Sequence, residues 1–170
     1  MNFIKTNRLL ISLASLILFF SFLASLILTS FGSVEVKSLR LDTDKGQYIV
    51  YDLFRPKSAK SESKAPFIAI IPGFQRSKEA LSNIAIELSR RGFAVALIDP
   101  YAQGMSSSSK SRMAATTQGY GMFALVDYVY EENFSFIDID SIGSTGHSMG
   151  GNAAIRGSNY FGKQATKKWN

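Results

Sequence analysis

The chain has 170 residues, 46% of them hydrophobic, with a formal net charge of +6, which leaves room for one domain and a targeting segment. Its basic residues gather at Lys5 and Arg8, in residues 57–64 and in residues 163–168, without interleaved aromatics, so no nucleic-acid partner is expected. The lack of cysteine excludes disulfides, thiolate metal sites and a lipid-modified N-terminal cysteine, and no motif calls for a metal or another cofactor.

Residues 1–8 form a short basic N-terminus, and residues 9–31 follow without one charge, LLISLASLILFFSFLASLILTSF. As a helix rising 1.5 Å per residue, that run spans a hydrocarbon core of roughly 30 Å. A cleaved signal peptide has a shorter apolar region and a small-x-small site, and residues 29–33 offer only a weak one. The expectation is an uncleaved signal anchor, a single membrane pass with the following domain outside the cytoplasm. The basic N-terminus favours that orientation, although Lys37, Arg40 and Lys45 on the other side nearly balance it.

Residues 34–170 read as one domain. Residues 34–41 alternate apolar and polar, residues 42–46 have turn composition, and residues 47–54 alternate again, which predicts an antiparallel hairpin. Residues 56–66 are a polar loop. Residues 67–71 form an apolar run ending at Pro72-Gly73, a strand buried on both faces. A helix over 77–91 is expected, capped by Ser77, with Leu81, Ile84, Ala85 and Leu88 on its apolar face. A second buried strand over 93–98 ends at Asp99-Pro100, and the serine-rich 104–111 is loop. A weaker helix over about 119–132 carries Phe123, Val126 and Tyr130 on one face. Asp127, Glu131, Glu132, Asp138 and Asp140 fall on it or on the turn after it, as solvated charges. Residues 141–145 predict a third buried strand, Met149 starts a helix, and 162–170 reads as a polar tail. Strands alternating with helices give an α/β domain with a mostly parallel sheet, entered through an antiparallel hairpin.

Between the last strand and its helix stands Gly146-His147-Ser148-Met149-Gly150-Gly151, a Gly-x-Ser-x-Gly turn. A serine hydroxyl needs a base and a stabilised oxyanion before it attacks a carbonyl. Glycines on both sides permit the sharp bend that raises Ser148 above the sheet edge. The helix N-terminus makes the Met149 amide a donor for the charge that develops there. The chain's one histidine, His147, adjoins Ser148 in sequence and so points away from it, which makes it structural and not the base.

These residues resemble the nucleophile elbow of the α/β-hydrolase superfamily in its lipase, esterase and dienelactone-hydrolase-like form. Two further landmarks support the resemblance. Ile71-Pro72-Gly73-Phe74 sits where that family's oxyanion loop follows its third strand, with Pro72 in place of the usual histidine. Asp99-Pro100-Tyr101-Ala102-Gln103-Gly104-Met105-Ser106 is similar to its Asp-x-x-Gly-x-Gly-x-Ser loop, with Ala102 and Met105 departing from the pattern. The resemblance implies an incomplete α/β-hydrolase domain over 34–170, with Ser148 as nucleophile and the amides of Met149 and Phe74 as oxyanion donors. It also implies a structural role for Asp99. Family order puts the triad acid and histidine on later strands, so neither is expected within the chain, and a missing C-terminal portion is expected to hold them. The expected activity is hydrolysis of a small-molecule ester or amide, catalytically incomplete in this chain alone. The competing reading is a non-catalytic, membrane-anchored binding protein on a degenerate hydrolase scaffold, against which the intact Gly-x-Ser-x-Gly weighs.

Overall fold

The computed structural model describes residues 2–28, 30–43, 46–109 and 112–168. Helix α1 (Asn2–Leu28) precedes strands β1 (Val34–Thr43), β2 (Gln47–Pro56) and β3 (Ala65–Ile71). Helix α2 (Ser82–Arg90), strand β4 (Ala94–Ile98), helices α3 (Arg112–Thr117) and α4 (Met122–Glu132), strand β5 (Ile137–Gly146) and helix α5 (Met149–Lys168) complete the order. The strands form one five-stranded sheet in the order β1-β2-β4-β3-β5. β1 pairs antiparallel with β2 and β2 antiparallel with β4, whereas β3 lies parallel to both β4 and β5. The expected α/β architecture is present, but the sheet is mixed and not mostly parallel: β4, β3 and β5 run parallel, and the N-terminal hairpin joins them antiparallel.

Both faces of the sheet are covered, which explains the continuous apolar runs of β3 and β4. On β4, Ala94, Ala96 and Ile98 face one layer while Val95 and Leu97 face the other. The first layer is closed by Met122, Leu125, Val126 and Val129 of α4 and by Ala153 of α5. The second is closed by Ala85 and Ile86 of α2, packed with Val34, Phe54 and Ile70. Each fully buried Ile or Leu contributes about 1.5–3 kcal/mol relative to exposure.

Several local expectations are corrected. Helix α1 ends at Leu28, not at residue 31, because Ser30, Phe31 and Gly32 take left-handed φ values of 49°, 54° and 79°. Ser77 does not cap α2 through its side chain; a 3-10 turn, Lys78–Leu81, intervenes. The Lys78 N–H, which such a cap would help to order, donates instead to the buried carboxylate of Asp99 at 2.7 Å. On α2, Ala85 is buried and Leu81 and Leu88 pack against the same layer as expected, whereas Ile84 is exposed and Ile86 is buried in its place. On α4, Phe123 and Val126 are buried as expected, together with Met122, Leu125 and Val129, whereas Tyr130 is exposed.

The third strand is longer than 141–145 and is not buried on both faces. β5 is an edge strand on which Ser141, Gly143 and Thr145 are exposed. Asp138 and Asp140 lie in this strand, not on the preceding helix or its turn. Their register against β3 jumps between Pro66 and Phe67, a bulge that follows a proline unable to donate a ladder hydrogen bond. The expected polar tail is helical instead, through Lys168. Tyr160 stacks on Phe123 at 4.8 Å and Phe161 meets the same ring edge-on at 5.6 Å, which fixes that part of α5.

Lys78 is buried, with Nζ 3.2 Å from Asp52 and 2.8 Å from Glu79. Burial disfavours its charge, but the Glu79 and Asp52 carboxylates outweigh that and hold its pKa above the usual lysine value. The same contact with Lys78, helped by the Ser77 hydroxyl, draws Glu79 from 4.5 down to about 2. A carboxylate depressed by folding stabilises the fold above its unfolded pKa and loses that contribution as pH falls towards its folded one. Thermal unfolding followed from pH 6 to pH 2 is therefore expected to show a stability loss, beginning near 4.5, that is smaller in Glu79→Gln.

Candidate active site

The carboxyl ends of β3, β4 and β5 converge on one edge of the sheet, and the turn from β5 into α5 crosses it. His147 N donates to Ile71 O at 3.2 Å, Gly150 N to His147 O at 2.9 Å, and Asn152 N to Ser148 O at 3.1 Å. These bonds hold the backbone of Ser148 at φ 53°, in the left-handed region that a non-glycine residue enters only under constraint. Its side chain is exposed at the tip of the turn. Met149 occupies the first helical position, where a backbone N–H has no acceptor within its own helix.

The neighbouring glycines are required by contact as well as by torsion. A Cβ on Gly150 would stand 2.0 Å from Ile71 O, and one on Gly146 would stand 2.5 Å from both Ile71 O and the Gly150 carbonyl carbon. The elbow is thus pressed against the end of β3.

The loop leaving β3 lies beside it. A Cβ on Gly73 would meet His147 Nδ1 at 2.9 Å and Ser148 Cβ at 3.4 Å. The imidazole therefore packs over Gly73. Among the described residues neither the His147 ring nor the Ser148 hydroxyl makes a hydrogen bond. Phe74 follows Gly73 with its ring exposed, and its backbone N–H has no acceptor among the described residues.

Asp99 organises the third loop. It is buried; Oδ1 accepts the Lys78 amide at 2.7 Å and Oδ2 the Met105 amide at 3.0 Å. The Ser106 hydroxyl donates to its carbonyl at 2.7 Å. Gly104 passes so close that a Cβ there would sit 2.2 Å from the carboxylate. The loop wrapped in this way presents Gln103, whose side chain accepts the Gln75 amide and donates to Gly73 O at 3.4 Å. Gln103 thus clamps the loop that carries Phe74. The sequence reading missed this residue, since no local pattern ties position 103 to 73 and 75.

The described residues include no triad-like partner for Ser148. Asp127 and Glu131 line a separate cleft of about 520 Å³, beside the tip of the β1–β2 hairpin, with Leu41, Tyr101, Phe123 and Tyr160. Asp127 is not the simply solvated charge expected: burial first, and then the nearby Glu131, push its carboxyl up. No cluster of three or more His, Cys, Asp or Glu side chains suited to a metal forms among the described residues.

Solved structures match this arrangement of sheet and flanking helices. The α/β hydrolase GrgF from Penicillium sp. sh18 superposes with a TM-score of 0.61 at 22% identity, over 74% of this chain and 42% of its own. An acetyl xylan esterase from Paenibacillus sp. R4 does so with a TM-score of 0.61 at 17% identity, over 74% of this chain and 45% of its own. This chain carries the α/β-hydrolase fold. A ferulic acid esterase from Streptomyces cinnamoneus is similar with a TM-score of 0.58 at 18% identity, over 75% of this chain and 55% of its own. The chain therefore spans about half or less of the length of each of these α/β-hydrolase structures. No protein-family model and no curated protein matches the sequence.

Proposed function

We propose that the α/β-hydrolase domain belongs to a serine hydrolase in which Ser148 attacks an ester or amide carbonyl. The amides of Met149 and Phe74 take up the oxyanion, and an acid and a histidine outside residues 1–170 complete the triad. One observation carries this reading: an exposed serine held at φ 53°, on a strand-to-helix turn, beside a loop whose Phe74 amide has no acceptor among the described residues. That arrangement keeps strain where a glycine would remove it, and strain of this kind clusters at functional sites. The packing of His147 on Gly73 supports an external base. So does the free edge of β5, which offers unpaired backbone to a further strand. Esterases among the similar folds favour an ester over an amide. Helix α1, with residues 7–27 long and apolar enough to cross a membrane, anchors the domain as a single pass with the site outside the cytoplasm.

A fluorophosphonate probe tests the catalytic reading on a product of the same coding sequence that carries a downstream acid and histidine. Labelling is expected at Ser148 and lost in Ser148→Ala. Residues 1–170 alone are expected to label slower by at least about 10³-fold, as removal of triad members does elsewhere. A longer product that folds but takes no label at Ser148 would sink the hydrolase and leave a binding scaffold.

A further inference from the structure

Arg90 is the last residue of α2, at the end of the sheet opposite the elbow, and its guanidinium spans the junction between anchor and domain. Nη2 donates to Ile27 O at 2.7 Å and Nε to Ser30 Oγ at 3.1 Å, while Nη1 lies 3.6 Å from Glu87. The last carbonyls of a helix lack intrahelical donors, so Arg90 supplies one that α1 needs and also carries charge favourable at a helix C-terminus. Backbone bonds from Phe31 N to Leu26 O at 2.6 Å and from Ser30 N to Ile27 O at 3.0 Å complete the corner. Lys57 N ties the next turn to Ser33 O at 2.9 Å, immediately before Val34 enters the core. Anchor and domain thus meet in a bonded corner and not through a slack tether.

The pairing register places that corner relative to Ser148. Val34 lies opposite Pro56, Phe54 opposite Val95, and Val95 opposite Ile68. The corner is therefore level with Pro66, five residues below Ile71, which is level with Gly146 at the base of the elbow. Five residues of strand rise about 17 Å, and the sheet order adds four strand spacings of about 4.8 Å sideways. Ser148 thus stands about 25 Å from the point where the anchor leaves, on the opposite edge of the sheet. The α1 side chains from Leu9 to Ile27 are exposed along the helix, so the anchor projects away from the domain. Exposed Phe31 and the cations of Arg90 and Lys57 gather at the domain end of the helix, and aromatic and basic residues are favoured at a membrane interface.

From this geometry we infer that the Arg90 corner holds the Ser148 edge away from the bilayer, so that the site takes its acyl substrate from water and not from membrane lipid. The inference rests on the hydrolase and anchor readings above. It assigns the substrate class to esters dissolved in the aqueous phase.

The absence of cysteine makes single-cysteine labelling direct. The full chain, carrying a fluorophore at Phe31→Cys or at Met105→Cys beside the site, would be placed in phosphatidylcholine–phosphatidylglycerol nanodiscs with nitroxide-bearing lipids. The Phe31 label is expected to lose most of its fluorescence and the Met105 label none. Adding Arg90→Gln is expected to bring partial quenching at Met105, because the corner loosens. Equal quenching at the two positions would overturn the orientation. For the substrate, the longer product in nanodiscs is expected to hydrolyse a soluble short-chain nitrophenyl ester and spare the nanodisc phospholipid; the opposite preference would overturn the assignment. An unquenched Met105 label together with an unlabelled Ser148 would leave the orientation standing and remove the hydrolase instead.

Discussion

Gly150→Ala is expected to destabilise the domain by at least about 3 kcal/mol, among the larger costs a single methyl group can have. The new Cβ would lie 2.0 Å from Ile71 O, 2.6 Å from Ile71 Cγ2 and 2.7 Å from the Ile71 carbonyl carbon. Two of those three atoms are backbone, so no rotamer change relieves the overlap; α5 must lift from β3 or β3 must bend. Either movement also disturbs His147 N to Ile71 O, the bond that ties the elbow to the sheet. Against a typical total stability of about 5–15 kcal/mol, the variant should unfold many degrees earlier and label poorly at Ser148. Gly162→Ala is the matched control, since a Cβ there meets nothing within 4 Å. It lies within α5 and is expected to be neutral or stabilising by up to about 1 kcal/mol, as alanine is against glycine in a helix. Differential scanning calorimetry of the two variants checks both. Equal melting temperatures would mean that the elbow is not packed on β3 in solution.

The contrast between those glycines shows what the sequence could and could not express. Gly146 and Gly150 were legible because the elbow is a local motif whose glycines carry a fixed steric meaning. The hairpin and the central strands were legible because alternation and continuous apolar runs record burial on one face or two. The edge position of β5 was not, because a strand's neighbours are set by topology, and 137–146 contains enough Ile and Gly to pass for a buried run. Ser77 looked like a helix cap, but a buried carboxylate from a loop distant in sequence took the amide next to it. A 3-10 turn stands there, and on the helix that follows Ile86 takes the core position expected for Ile84. Residues 112–117, between the expected loop and the helix expected from about 119, carried no assignment, yet they form α3. Of the candidate site, Ser148 and the Met149 and Phe74 amides proposed for it could be named from motifs, whereas Gln103, and Arg90 at the far end of the sheet, act through partners 28 and 63 residues away.

Asp99→Ala is expected to cost about 3 kcal/mol or more and to damage the candidate site without touching Ser148. Hydrogen bonds to a charged partner are worth about 1.5–3 kcal/mol each, and this buried carboxylate accepts two, from Lys78 N and Met105 N. Both donors would be left without an acceptor, one at the start of the turn into α2 and the other in the loop after β4. Asp99→Asn should rescue only part of the loss, because its amide nitrogen would face one of the two N–H donors. The damage then travels by a short route. Residues 99–106 wrap the carboxylate, and from that loop Gln103 grips Gly73 O and the Gln75 amide on either side of Phe74. A loosened Gln103 leaves the Phe74 amide poorly placed for a developing oxyanion, a loss worth roughly 10²–10³ in rate where one such donor has been removed. In the longer product, fluorophosphonate labelling of Asp99→Ala should slow by about that factor at temperatures where the variant remains folded. Gln103→Ala should show the same slowing with a much smaller fall in melting temperature, because it leaves the buried carboxylate and both its donors in place. Met105→Ala, whose side chain is 70% exposed, should change neither quantity. If Gln103→Ala labelled at the normal rate, the oxyanion loop would not depend on this clamp, and the Asp99 effect would be one of stability alone.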